Sequence, residues 1–205
     1  MKTVRISTSE PEAVDRALTI LRAGGLVVMP TDTVYGVGCL AFEPAAVARL
    51  YAVKRRPEDK PIPVLLASAA DLDRVAVDLS PAMRRLAQSF WPGPLTLIVP
   101  RHPSLPVEIG PGTTVGVRVP AHSLAQRLLA EAGPMAVTSA NLSGRPPAVS
   151  AAEAEAALAG KVELILDDGP SAGGMPSTVA DGTQDPPVIV RAGPISEKDL
   201  AQSLT

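Results

Sequence analysis

A chain of 205 residues with 46% hydrophobic residues can bury one sizeable core and is short for two domains. Aromatics make up only 2%, so Val, Leu, Ile and Ala must do the packing, which suits helices laid on a sheet. A net charge of −2 argues against attachment to nucleic acid by charge alone, a single cysteine (Cys39) excludes an internal disulfide, and Cys39 with two histidines is too small a set for a dedicated zinc site.

Residues 3–7 read as a first strand. Ser9 followed by Pro11 and Glu12 resembles a capping box, and it predicts a helix with Val14, Ala17, Leu18 and Leu21 on one face, ended by Gly24-Gly25. Residues 26–29 form a buried strand that Pro30 stops. Pro44 opens a helix carrying Val47, Leu50, Tyr51 and Val53, which runs out into Lys54-Arg55-Arg56-Pro57. Residues 63–67 read as another strand, and Ser80-Pro81 starts a helix that ends near Trp91-Pro92-Gly93-Pro94. Strands follow at 95–99 and 115–119, a helix at 122–132, a short strand at 135–137, an Ala-rich helix at 151–158 and a strand at 162–166. The last strands fall at 177–180 and 188–191, before a short helix at 197–203. This alternation predicts an α/β fold, and the adjacent strand pairs late in the chain predict a mixed sheet. The N-terminus has no apolar run of signal-peptide length, and charges, Pro and Gly break every run that approaches a membrane span. A soluble cytoplasmic protein is expected.

Five polar, glycine- or proline-rich segments lie beside these strands, where α/β folds place their sites. Residues 30–38 (PTDTVYGVG) put Thr31, Asp32 and Thr33 after a core strand, either as a side-chain-bonded turn or as a pocket floor. The glycines at 36 and 38 match G-x-G-x-x-A, but they do not directly follow the strand and the next helix starts too late, so dinucleotide binding is rejected. Residues 54–61 (KRRPEDKP) hold four cations in seven residues, either a solvated helix end or a phosphate clamp stiffened by Pro57 and Pro61. In residues 113–120 (TTVGVRVP) alternation puts Val115, Val117 and Val119 on one face and Gly116 with Arg118 on the other. Arg118 demands a partner, which is either an internal Asp or Glu or the carboxylate of a substrate. Residues 137–144 (VTSANLSG) carry three hydroxyls and an amide, more than a bare turn needs, yet lack the G-x-S-x-G of a nucleophile elbow. Ser177 and Arg191, in PSTVAD and VRAGP, are each capable of holding a substrate or of a purely structural role.

Seven motifs in order, PTDTVYGVG, KRRP, WPGPLTL (91–97), VGVRVP, TSANLSG, PSTVAD and VRAGP, resemble the YrdC family of threonylcarbamoyl-AMP synthases in its short, TsaC-like form. The resemblance spans residues 7–194, leaves 195–205 as a short tail and implies no second domain. It implies a twisted mixed open sheet surrounded by helices around a large, concave, positively charged cavity. It implies synthesis of threonylcarbamoyl-adenylate and pyrophosphate from L-threonine, bicarbonate and ATP, with Mg²⁺ carried on the phosphates and no protein metal site. Downstream proteins then transfer the group to the adenosine next to the anticodon in tRNAs reading ANN codons. By motif position, Lys54 and Arg56 are the catalytic cations. ATP falls to Lys54, Arg56, Glu58, Thr114, Ala140, Ser143, Ala148 and Arg191, and threonine to Thr31, Pro63, Arg118, Thr138 and Ser177. Ala148 stands where a hydroxyl is expected.

The chemistry fits this inventory. A carbamate is already an anionic nucleophile, so attack on the α-phosphorus needs positioning and cations more than a proton shuttle. Two other readings compete. A non-catalytic tRNA or double-stranded-RNA-binding module is disfavoured by the negative net charge and scarce aromatics. A carbamoyl-transfer relative in protein maturation is disfavoured by the lack of Cys clusters.

Overall fold

The structure, a computed structural model, describes residues 1–204. In chain order the elements are β1 (Val4–Ser7), α1 (Ala13–Arg22), β2 (Val27–Met29), β3 (Gly36–Leu40), α2 (Pro44–Lys54), β4 (Val64–Leu65), α3 (Pro81–Phe90), β5 (Leu95–Pro100) and β6 (Thr114–Arg118). They continue with α4 (Ser123–Ala132), β7 (Met135–Ser139), α5 (Ala151–Leu158), β8 (Leu164–Asp167), β9 (Thr178–Asp181), β10 (Val188–Arg191) and α6 (Glu197–Leu204). Among the described residues the strands form one ten-stranded sheet in the order β1-β8-β2-β3-β7-β4-β6-β5-β9-β10. The sheet is mixed and open. Its pairs β1/β8, β2/β8, β4/β6 and β5/β9 are parallel and the rest antiparallel. No helix among the described residues is long and apolar enough to cross a membrane.

Local chemistry fixes most helix ends. The Ser80 hydroxyl accepts from Met83 N–H ahead of Pro81. Ser150 accepts from Glu153 N–H while Glu153 returns a carboxylate to Val149 N–H, a reciprocal cap. The box expected at Ser9 does not form. The Ser7 hydroxyl takes Ser9 N–H and Glu10 takes Ser7 N–H, so this stretch is spent as a turn and α1 starts only at Ala13.

The segment 36–40, to which the sequence pattern assigns no strand, is a central strand between β2 and β7. A Cβ at Gly36 or Gly38 would lie 2.6 Å from a methyl of Val137 on the neighbouring strand. The glycines are there for close strand approach, not for a loop. Residues 195–204, expected as a tail, bury Ile195 and Leu200, and α6 packs on α3. The Thr178 hydroxyl ties this segment down, donating to the Ile195 carbonyl and accepting its N–H, both at 2.9 Å.

Two hydrophobic clusters divide the faces of the sheet. One gathers α1 and α4 over β1, β8, β2 and β7 through Leu18, Leu21, Val27, Leu128 and Leu164. The other lies on the opposite face and runs its whole length, from Leu50 and Val37 to Leu86, Leu97, Val117 and Leu200. The α1/α4 layer therefore covers only one half of its face. Over β6, β5 and β9 the same face is bare, and the site lies there.

Candidate active site

Alternation along the uncovered strands aims Thr96 and Ile98 of β5, Gly116 and Arg118 of β6, and Val179 of β9 at the bare face. They floor a cavity of about 350 Å³. Its walls bring together seven residues expected from the sequence: Thr31, Arg56, Pro63, Arg118, Thr138, Ser177 and Arg191. Three guanidiniums and several hydroxyls line it, with no carboxylate and no imidazole among the lining side chains.

Both readings of the PTDT segment hold. The Thr31 hydroxyl donates to Val34 O at 2.6 Å and accepts from the N–H groups of Thr33 and Val34, a side-chain-bonded turn that also walls the cavity. Arg118 has an internal partner. Its Nη2 donates to Asp32 Oδ1 at 2.5 Å, Nη1 to the Thr33 hydroxyl at 2.7 Å and Nε to Gly93 O at 2.9 Å. Of the two partners the strand pattern allowed, the internal acid is present, and it also accepts Ala121 N–H. A guanidinium has five N–H donors, so two remain uncommitted on a side chain that lines the cavity. The WPGP stretch supplies the Gly93 carbonyl and is held by the Trp91 indole N–H on Leu95 O at 2.7 Å. Burial lowers the Arg118 pKa and Asp32 offsets part of that fall.

Opposite Arg118, Arg191 reaches from β10 to Ser177. Its Nε and Nη2 donate to the Ser177 carbonyl at 3.2 and 2.9 Å, and Nη2 also to the hydroxyl at 3.1 Å. Arg56 is held by the carbonyls of Lys60 and Pro61. It is aimed inward because α2 ends at Arg55 in the left-handed region, φ 51°, a non-glycine there. Burial, then repulsion from Arg56, lowers the Arg191 pKa. An anion placed between these cations relieves that repulsion.

Lys54, expected to contact phosphate, is 1% exposed and stands behind the wall. Its ammonium donates to the Ser139 and Asn141 carbonyls, the latter at 2.6 Å, while the Lys54 carbonyl accepts Ser143 N–H at 2.9 Å. The physical reason is helical phase. Val47, Leu50, Tyr51 and Lys54 share the buried stripe of α2, so the lysine points into the protein and holds the end of β7 and the turn after it. Burial lowers its pKa from 10.5 to about 7, with Arg56 adding to the fall.

Five further expected residues lie outside the lining. Glu58 borders a separate depression with Tyr51 and Glu108. Thr114 opens β6 opposite Pro100. Ala140 and Ala148 are buried and pair with the Tyr35 backbone, and Ser143 pairs with Lys54 as above. Thr33, raised from the sequence only as one of three pocket-floor candidates, also lines the cavity, while sequence reasoning missed Thr96 and Pro147. Thr96 was legible in principle, because it alternates with Leu95 and Leu97 on a strand whose other face is core.

The family model Sua5_yciO_yrdC, described as telomere recombination, matches residues 19–193. A putative threonylcarbamoyl-AMP synthase of Mycobacterium leprae is 46% identical over 189 residues, covering 92% of this chain and 86% of that protein. The crystal structure of Pyrococcus abyssi Sua5 complexed with L-threonine superposes with a TM-score of 0.94 at 37% identity, over 100% of this chain and 61% of that one. Escherichia coli YciO superposes with a TM-score of 0.85 at 30% identity, over 97% and 98%.

Proposed function

The chain belongs to the Sua5/YciO/YrdC family, and on that premise we propose that it is a threonylcarbamoyl-AMP synthase, a nucleotidyltransferase serving tRNA modification in the cytoplasm. The observation that carries the reading is the bare half-sheet, where Arg56, Arg118 and Arg191 converge with Thr31, Thr138 and Ser177 and no lining residue is acidic. We take residues 7–194 as the catalytic unit.

The threonine amine and bicarbonate condense to a carbamate, forming the N–C bond as a C–O bond of bicarbonate breaks and water leaves. A carbamate oxygen attacks the α-phosphorus of ATP, the bond to the β-phosphate breaks, and pyrophosphate leaves. Arg118, through the donors that Asp32 and Thr33 leave over, holds the threonine carboxylate, with Thr31, Thr138 and Ser177 around the amino acid and Pro63 packing beside it. Arg56 and Arg191 face the phosphates and spread the charge that builds as pyrophosphate departs. The cavity is in this sense positively charged. Ala140, Ser143, Ala148 and Thr114 serve the nucleotide side through the backbone they position. Lys54 acts through the end of β7 and the turn after it. The lining offers no carboxylate and the described residues hold no cluster of His, Cys, Asp and Glu suited to a metal, so the donor set does not fit a protein-bound ion and Mg²⁺ enters on the ATP phosphates. Measuring pyrophosphate release with each substrate omitted in turn tests the reading. Release should require threonine, bicarbonate and ATP together, and equal release without threonine would overturn it.

A further inference from the structure

Beyond the residues to which the motifs assign a role, we propose that Thr96 is a positioning residue that orients the Ser177 hydroxyl toward the threonine substrate. The inference rests on the synthase reading and names a part of its site. Thr96 is 4% exposed at the cavity floor, and its hydroxyl lies 2.8 Å from that of Ser177, also 4% exposed.

Two features give the pair a direction. The first is steric. The Thr96 methyl sits 3.1 Å from where a Cβ on Gly116 would be, so it rests over the one residue of the neighbouring strand that leaves it room. Threonine is branched at Cβ, and placing the methyl places the hydroxyl, here toward Ser177. The second is the count of protons. The pair has two hydroxyl protons and one hydrogen bond between its members, and Arg191 Nη2 already donates to Ser177 Oγ. If Thr96 donates to Ser177, both acceptor sites of the Ser177 oxygen are filled and its own proton is committed outward, to an oxygen of the bound amino acid. Thr96 thus removes the rotational freedom that Ser177 would otherwise lose on binding. Arg191 does not depend on Thr96, because two of its bonds go to the Ser177 carbonyl.

The test is steady-state kinetics of Thr96→Val and Thr96→Ser, with melting curves for both. Thr96→Val keeps the shape and loses the hydroxyl. It should raise KM for threonine about five- to tenfold, the worth of one ordinary hydrogen bond, while KM for ATP stays within about twofold. Thr96→Ser keeps the hydroxyl but not the methyl that places it, so it should recover part of the threonine affinity. If Thr96→Val does not fold, Thr96→Ala removes the hydroxyl without added bulk and carries the same expectation. An unchanged threonine KM in a folded variant overturns the proposal, as does an equal rise in both KM values that serine fails to rescue. A wild-type enzyme without threonine-dependent pyrophosphate release instead overturns the synthase reading, so the two failures are distinct.

Discussion

Replacing Lys54 by methionine should change stability in a pH-dependent way whose sign the structure fixes. Burial takes the Lys54 pKa from 10.5 to about 7, a loss of about 5 kcal/mol in preference for the ammonium form. Below pH 7 both the folded and the unfolded chain carry the proton, and the full penalty of burying the charge is present. Between pH 7 and 10.5 the unfolded chain binds the extra proton, so wild-type stability climbs with pH by about 1.4 kcal/mol per pH unit. The neutral amine still has two N–H groups, enough for the carbonyls of Ser139 and Asn141. Lys54→Met lacks the titration and leaves both carbonyls without that donor. The stability gap in favour of wild type should therefore widen by about 2 kcal/mol from pH 7.5 to 9, about 4–8 °C in Tm for a chain of this size. Titrations elsewhere are common to both proteins and cancel in the difference. Paired thermal melts across that range measure it, and a gap that stays flat would refute a buried, displaced amine. The same variant should lose at least about tenfold in kcat/KM, roughly 1.4 kcal/mol, by loosening the end of β7, which carries Thr138, and the turn after it.

Other consequences follow from the site. Arg118→Ala should cut kcat/KM for threonine at least about tenfold, and it should destabilise the fold by about 3–5 kcal/mol by leaving Asp32 part-buried without its guanidinium. Asp32→Asn keeps an oxygen for Arg118 and Ala121 and should melt closer to wild type than Arg118→Ala in the same denaturant series. Gly116→Val would project methyls between Thr96 and Pro63 at the cavity floor. It should abolish threonine-dependent pyrophosphate release while circular dichroism still reports the fold.

Much of this site was legible because its residues sit on strands or strand ends with clean periodicity. The alternation through Val115, Val117 and Val119 correctly separated Arg118 from the core, and it correctly posed the question of its partner. It could not name Asp32, which lies 86 residues away in sequence and meets Arg118 only once β6 is in place. Gly36 and Gly38 misled for a physical reason. In sequence, two glycines so close together weaken a strand pattern, whereas here they let Val137 of β7 approach. Lys54, expected at the phosphates because it belongs to a run of charges, is instead buried against backbone carbonyls. The signal for burial was present, since it falls seven residues after Val47 on a stripe whose other members are apolar. The bare half of the sheet was beyond sequence reasoning. It follows from where α1 and α4 stop, which no local pattern encodes.

The most direct test of the account is the fate of bicarbonate carbon. With ¹³C-bicarbonate, L-threonine and ATP, mass spectrometry of the adenylate product should find one labelled carbon between the amino acid and the nucleotide, released together with pyrophosphate. An unlabelled threonyl-adenylate, or ATP turnover with no adenylate at all, would contradict a cavity built to join a carbamate to a nucleotide.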